Sequence, residues 1–190
     1  MQQYFKAAIL ISAGLFSTGC MNPKRPALHD FGLTSPTQIA NKPLITVDAP
    51  TWFWDNRIRY RLLYSAPTRV RFYGLDLWVA SPPELIEQHL LNSAKTLPYP
   101  LVIHLLDFEQ QFDNPNKARV VVRFSVEAHP TDNQHKIGEQ LFSLEQVTKT
   151  PDAVGAVEGF SALIRQATDK IQDWSMTLNR DYGRKSTPNL

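Results

Sequence analysis

Arginine and apolar residues alternate along one short segment, and this alternation constrains the fold more than any other feature of the sequence. Apolar or aromatic residues occupy one set of alternate positions: Ile58, Tyr60, Leu62 and Tyr64. Arginines occupy the positions between them: Arg57, Arg59 and Arg61. A period of two places the two sets on opposite faces of a β-strand. The segment therefore predicts a strand with one packing face and one basic face.

A helix start follows this strand within the same stretch of chain, residues 52–91. Ser81 is a suitable N-cap, Pro82 suits the first helical position, and Glu84 stands where a capping box needs a carboxylate. Downstream, five residues recur at spacings of three and four: Leu85, Ile86, His89, Leu90 and Ala94. This stripe predicts an amphipathic helix that faces a sheet and ends at residues 96–98.

Three longer segments predict an antiparallel meander at residues 101–112, 119–129 and 137–147, with turns at 113–116 and 130–133. In the second segment, the alternate positions are all apolar: Val120, Val122, Phe124, Val126 and Ala128. Connections this short join neighbouring antiparallel strands.

Shorter strands are predicted at residues 29–33 and 44–47, with a loop between them. Ser65-Ala66-Pro67-Thr68 is expected to form a turn, because serine and proline favour turns. A second alternation follows at residues 69–72, and Gly74 is expected to interrupt the chain before a last short apolar run at 77–79.

The strongest helical periodicity lies near the C-terminus. Thr150-Pro151-Asp152 predicts the helix start by the same logic as Ser81-Pro82, with Thr150 as the N-cap. Apolar residues then recur at three and four over the next turns: Ala153, Val157, Phe160, Ile164, Ala167, Ile171, Trp174 and Leu178. The elements together predict an α+β fold, with a predominantly antiparallel sheet of five to seven strands and two amphipathic helices packed on one face. We expect one domain at residues 28–180 and a flexible tail at 181–190.

The N-terminus has the pattern of an export signal. An uncharged apolar run at residues 7–16 is about half of the roughly 20 residues needed to span a bilayer, so residues 1–19 predict a signal peptide. The letters STGC, which end at Cys20, resemble a lipobox, although Ser17 stands where Leu, Val or Ile is usual. Cys20 is the only cysteine of the chain. We therefore expect a lipidated Cys20 and a tether at residues 20–27, and the alternative is an ordinary secretory leader.

No catalytic motif is present in the sequence. It contains no G-x-S-x-G, no H-E-x-x-H and no glycine-rich phosphate loop. Its five histidines are not at metal-ligand spacing on any one predicted element. His104, Asp107 and Glu109 could form a general-base set, but their pattern is more typical of a polar sheet face. We expect a non-enzymatic protein that needs no cofactor and no metal.

An arginine and aromatic cluster is the best candidate for a functional surface. The candidate partner-binding residues are Trp52, Trp54, Arg57, Arg59, Arg61, Arg69 and Arg71. Stacking and phosphate contacts on nucleic acid are excluded by the export signal, and the formal net charge is only +2. Lipid phosphates or acidic groups of a protein partner remain, because guanidinium binds both in a bidentate manner. The alternative is that the aromatics are core and the arginines a solvated strand face.

Three stretches together resemble a known family. AP-x-W, YRLLYSAPTRVRFYG and W-x-A-S-P-P-E-L-I-E-Q-x-L occur in this order between Ala49 and Leu90. They resemble the ABC-type transport auxiliary lipoproteins, the PqiC-like family that serves MCE-type lipid transport systems of Gram-negative envelopes. The resemblance implies a non-enzymatic lipoprotein on the periplasmic face of the outer membrane, where Met21 after the cysteine favours sorting to that membrane.

The implied partner is an MCE-domain protein of an ABC-type lipid transporter, and the membrane is contacted through the lipid anchor. Self-association into a homo-oligomer stays open at this point. The alternative function is a lipoprotein that itself binds a small amphiphile, or that acts as an assembly chaperone for an outer-membrane component.

Overall fold

The structure is a computed structural model that describes residues 24–32, 45–93, 97–130 and 135–185, with side chains to residue 182. The predicted leader, Cys20, the loop between the first two predicted strands, Ala94 and residues 131–133 of the predicted turn lie outside these ranges. The elements are β1 (Ala27–His29), β2 (Ile45–Asp48), a 3₁₀ turn (Thr51–Phe53), β3 (Arg57–Leu62), β4 (Ala66–Trp78), α1 (Pro82–Ser93), β5 (Leu101–Asn114), β6 (Lys117–Ala128), β7 (Gly138–Val147) and α2 (Ala153–Lys185).

One mixed sheet of seven strands has the order β1-β4-β3-β5-β6-β7, and β2 also pairs with β5. β6 lies along one edge of β5, and two strands share the other edge. β2 pairs with β5 from Leu101 to His104, and β3 pairs with it from Gln110 to Phe112. These two pairs and the β1–β4 pair are parallel, whereas the other three pairs are antiparallel. The antiparallel pairs β5–β6 and β6–β7 are much longer than any parallel pair, so the predicted α+β class and the mostly antiparallel sheet are confirmed.

Both helices lie on one face of the sheet and cover the core. The ring of Phe108 in β5 stacks on Phe160 of α2, with centroids 4.0 Å apart. The apolar row of β6 is buried beneath the helices, as its alternation predicts. Gly159 lets α2 approach this row, because a Cβ there would lie 2.7 Å from Cγ2 of Val120. Neither described helix combines the length and the apolar content that a membrane crossing requires.

The two helix starts use different capping residues. At α1, the backbone N–H of Ser81 donates to Oε2 of Glu84 at 2.9 Å and the Ser81 hydroxyl donates to the same oxygen at 2.6 Å, so the predicted cap is confirmed. These hydrogen bonds lower the pKa of Glu84. At α2, Asp152 is the cap instead of Thr150, because the Gly155 N–H donates to Oδ1 of Asp152 at 2.8 Å.

The hairpin between β3 and β4 differs from the sequence-based expectation. Its turn occupies residues 63–65, and β4 runs without interruption from Ala66 through Gly74 to Trp78. The predicted turn at 65–68 and the break at Gly74 are therefore wrong. Irregular register between the two strands accommodates the difference, because Arg57 lies opposite Leu77 whereas Arg59 lies opposite Phe72. α2 also continues to Lys185, beyond the expected start of the tail.

Candidate docking surface

The face of the sheet away from α1 and α2 is here called the open face, and Arg59, Glu109 and Arg123 lie on it. A register shift in β5 between Leu105 and Asp107 determines which side chains reach it. Before the shift, odd-numbered residues such as Leu105 point to the helices, and after it Phe108 does so. Asp107 and Glu109 therefore lie on the open face, because side chains alternate along a strand.

Arg61 and Glu109 form an enclosed ion pair on the open face. Nε of Arg61 lies 3.0 Å from Oε1 of Glu109, and Nη2 lies 3.0 Å from Oε2. Nη1 donates to the carbonyl of Pro67 at 3.0 Å. The hydrogen bonds that Arg61 donates to Glu109 raise the pKa of Arg61. The guanidinium group of Arg61 is thus largely occupied by contacts within the chain.

Arg59 is also held within the chain. Its side chain is only 10% exposed, and its guanidinium carbon lies 4.9 Å from the ring centroid of Phe53 and 5.6 Å from that of Phe72. Asp55 lies 3.7 Å away, but burial prevails and lowers the pKa of Arg59. A buried guanidinium between aromatic rings contributes to packing as well as to charge.

Arg57 is the most accessible of the three arginines. Its side chain is 48% exposed, and its guanidinium carbon lies 3.7 Å from the centroid of Phe72. Nη2 donates to Oδ2 of Asp55 at 2.6 Å. Burial alone would raise the pKa of Asp55, but the hydrogen bonds from Arg57 outweigh it and lower that pKa. About half of the Arg57 side chain therefore stays exposed to solvent despite these contacts.

Arg69 and Arg71 do not belong to this group, because they point to the other face of the sheet. Arg71 lies directly opposite Tyr60, whose ring contacts those of Tyr73 and Phe112 on the helix side. Residues opposite each other in an antiparallel pair share a face, and Arg69 is two positions along the same strand. The seven candidate residues therefore do not form one continuous surface.

Two exposed tryptophans flank a buried phenylalanine at the 3₁₀ turn. Trp52 is 60% exposed and Trp54 is 48% exposed, whereas Phe53 is buried beneath Arg59. The turn is fixed by the Phe53 N–H, which donates to the carbonyl of Pro50 at 2.9 Å. The indole Nε1 of Trp54 donates to the carbonyl of Ala49 at 3.0 Å. We call Trp52 and Trp54 the tryptophan corner, and it adjoins Arg57 and Arg59 through Asp55 and Phe53.

An acidic cleft separates Trp54 from α1. It has a volume of about 510 Å³ and is lined by Trp54, Ala80, Glu84, Glu87, Gln88, Leu91 and Asn92. Oε2 of Glu87 accepts the backbone N–H of Val47 at 3.0 Å, and Glu84 caps α1, so both carboxylates are fixed in place. This cleft was not predicted from the sequence. The sequence feature that could have indicated it is a second stripe on α1: residues 84, 87, 88 and 91 recur at helical spacing on the side opposite the apolar stripe.

The remaining charges of the open face are mostly paired. Arg123 pairs with Asp107, Arg119 with Asp113, and Lys136 with both Glu127 and Glu139. His104 lies 3.3 Å from Asp48, so His104, Asp107 and Glu109 each have different partners and do not converge on one point. In the part of the chain that the structure describes, no group of three His, Cys, Asp or Glu residues could hold a metal ion.

Comparison with known proteins gives similarity at the level of the fold. No protein-family model matches this sequence, and no curated protein matches it significantly. The crystal structure of protein XCC0632 from Xanthomonas campestris, described as a DUF330 family protein, superimposes with a TM-score of 0.65 at 14% identity. It covers 84% of this chain and 98% of its own.

A second crystal structure, of an uncharacterized protein, has a TM-score of 0.58 at 12% identity and covers 78% of this chain and 97% of its own. The α+β fold described above is thus shared with a DUF330 protein. At these identities the likeness concerns the fold alone.

Proposed function

We propose that this chain is a lipid-anchored periplasmic subunit of an ABC-type lipid transport system, and that it docks with an MCE-domain protein through the tryptophan corner. The observation that supports docking most directly is the exposure of two tryptophans on a turn fixed by hydrogen bonds. Tryptophan and arginine are the side chains most often found as energetic anchors of protein interfaces. Arg57, half exposed beside the corner, supplies an arginine at the same place.

The geometry also favours a particular chemistry for the partner. Glu84 and Glu87 line the cleft beside Trp54. A partner segment with one apolar side chain between basic residues would fit this cleft. Its apolar group would pack on the indole, and its basic groups would pair with the carboxylates. The sequence-based prediction, in which the two tryptophans and all five arginines form the docking surface, is narrowed to the tryptophan corner and Arg57. Arg59 and Arg61 already have partners within the chain.

The proposed anchor is supported by the N-terminal sequence and by the short distance from it to the domain. From Cys20 to Ala27, the first residue of β1, the chain can extend by roughly 25 Å at most. A lipid on Cys20 would therefore keep the β1 side of the sheet close to the membrane surface. The shared fold of a DUF330 protein and the resemblance of residues 49–90 to auxiliary lipoproteins agree with this proposal.

The alternative, a protein that binds an amphiphile, has one structural feature in its favour. An apolar seam lies between α1, α2 and the sheet, lined by residues such as Ile86, Leu90, Phe124 and Ile171. Its free volume is about 10 Å³, which is enough for at most one water molecule. An acyl chain would have to displace α1 from the sheet to enter.

Co-purification tests the docking proposal. The full-length tagged chain is isolated from membranes that also contain the MCE-domain protein, as wild type and as Trp52→Ala/Trp54→Ala. We expect the double variant to lose at least about tenfold in recovered partner, because anchor residues dominate interface energy. The matched control is Val154→Ala/Met176→Ala, which truncates two exposed apolar residues of α2. Equal recovery with all three proteins would refute docking at the corner.

Native mass spectrometry of the same samples tests the alternative. A stoichiometric amphiphile bound to the wild-type chain, together with unchanged recovery of the MCE-domain protein in the tryptophan variant, would favour the amphiphile binder.

A further inference from the structure

We infer that two copies of this chain pair through β7, antiparallel, with Leu144 of each copy on the two-fold axis. The two sheets would then form one continuous sheet with its helices on a common face. This contact is independent of the proposed docking, since β7 and the tryptophan corner belong to opposite sides of the sheet order.

The two edges of the sheet differ in how they resist pairing. The outer edge of β4 is covered at Asp76–Trp78 by β1, and its uncovered part contains Pro67, Arg69, Arg71 and Gly74. Proline, charge and irregular register are the usual protections of an edge strand. β7 has ten residues with no proline, no lysine or arginine and regular register with β6 throughout. Among the described residues, β7 pairs only with β6.

The direction of one hydrogen bond shows which backbone groups face outward. The N–H of Thr148, just after β7, donates to the carbonyl of Ala118 at 2.9 Å. The backbone N–H and C=O groups of even-numbered residues in β7 therefore face β6. The alternate positions therefore direct their N–H and C=O groups to the free edge. These positions are Glu139, Leu141, Ser143, Glu145 and Val147.

An axis at Leu144 matches these positions in chemistry. It places Leu141 opposite Val147 of the second copy, and both residues are 61% exposed. It also places Glu139 opposite Lys149 of the second copy, two residues beyond the end of β7. Within one chain these two groups form exposed ion pairs with Lys136 and Glu158, which the contact between copies would share or replace. Ser143 falls opposite Glu145, whose carboxylate is 3.5 Å from Nε of Arg119 in its own chain. Cross-strand apolar and opposite-charge pairs of this kind stabilise antiparallel sheets.

Neighbouring registers lack this complementarity. An axis at Ser143 would place Leu141 opposite Glu145 and Val147 opposite Glu139. An axis at Glu145 would place that glutamate opposite its own copy, and an axis at Phe142 would place Glu139 opposite Glu145. Like charges directly opposite each other destabilise a sheet. An isologous contact needs a self-complementary patch, and only the axis at Leu144 provides one among these four.

Cross-linking tests the register. The full chain is used with Cys20→Ser, so that engineered cysteines are the only thiols. Chains with Leu141→Cys and chains with Val147→Cys are treated, separately and as a mixture, with a short thiol-specific cross-linker. We expect covalent dimers only in the mixture, because like positions lie six residues apart along the paired strands, about 20 Å. Dimers from either variant alone, or none from the mixture, would overturn the inference.

Mass measurement by light scattering tests the contact itself. The Cys20→Ser protein should have twice the mass of its own single chain, and Leu141→Lys should have the mass of one chain and still unfold cooperatively. Leu75→Lys is the matched control, since it places the same charge on an exposed leucine of the opposite edge strand and should remain dimeric. A monomeric parent protein, or equal loss of the dimer in both variants, would overturn the inference. Neither experiment involves the MCE-domain protein, so each result is separate from that of the docking test.

Discussion

The contribution of a charged side chain to the stability of this protein depends on how far it is buried. Glu109 has a side chain only 9% exposed, and it accepts hydrogen bonds from Arg61 and from Gln111. Arg57 belongs to the same alternating row but is half exposed and lies over the ring of Phe72. Removing an arginine therefore has two different consequences within one strand, depending on whether a buried carboxylate is left behind.

Arg61→Gln is expected to destabilise the fold. The change leaves the carboxylate of Glu109 without its bidentate partner, which we expect to cost about 1–3 kcal/mol in the free energy of unfolding. Arg57→Gln is the matched control and should cost less than about 1 kcal/mol, because its ion pair is exposed. Urea unfolding followed by circular dichroism measures both. Equal stability of the two variants would contradict the idea that Glu109 depends on Arg61.

At the scale of elements, sequence patterns predicted correctly those features that depend on residues close together in the chain. The buried row from Val120 to Ala128 and the cap at Ser81 follow from alternation and from side chains three residues apart. The register shift in β5 and the parallel pairing of β3 with β5 bring Glu109 to Arg61, and both depend on strands distant in sequence. No local pattern contains that information. The alternation in residues 57–61 therefore predicted the strand correctly, but it could not identify the partners of its arginines.

The start of α2 provides a test at this scale. The side chain of Asp152 accepts hydrogen bonds from the Gly155 N–H and the Thr150 hydroxyl, and we expect Asp152→Ala to cost about 1–2 kcal/mol in the free energy of unfolding. Thr150→Ala should cost less, because it leaves the bond to Gly155 in place. Thermal or urea unfolding at neutral pH measures both variants. A larger cost for Thr150→Ala would return the cap to the residue that the sequence favoured.

The same cap predicts a dependence on pH. Hydrogen bonds from Gly155 and Thr150 lower the pKa of Asp152 below its ordinary value of 3.8. A carboxylate with a lowered pKa in the folded state stabilises the fold above its unfolded pKa, and this contribution is lost as the pH falls through the folded pKa. The difference in stability between wild type and Asp152→Ala should therefore narrow below about pH 4. A constant difference down to pH 2 would contradict this assignment.

At the scale of the whole molecule, the two proposed contacts and the proposed anchor occupy different parts of the sheet. The anchor would lead into β1 at one edge, self-association would use β7 at the other, and the tryptophan corner precedes β3, which lies between them. A dimer paired through β7 would have its two β1 strands, and hence its two tethers, at opposite ends of the continuous sheet. Such an arrangement would lay the long axis of the sheet along a membrane and leave both tryptophan corners accessible.

The anchor itself is tested by acylation of Cys20. Labelled palmitate is expected to enter the wild-type chain and not Cys20→Ala, because the apolar run at residues 7–16 leads directly to the only cysteine of the sequence. The unfolding temperature of the variant should match that of the wild type, because the buried core of the described residues begins at Phe31. Label in both proteins would contradict a lipid on Cys20 and leave an ordinary export signal as the reading of this N-terminus.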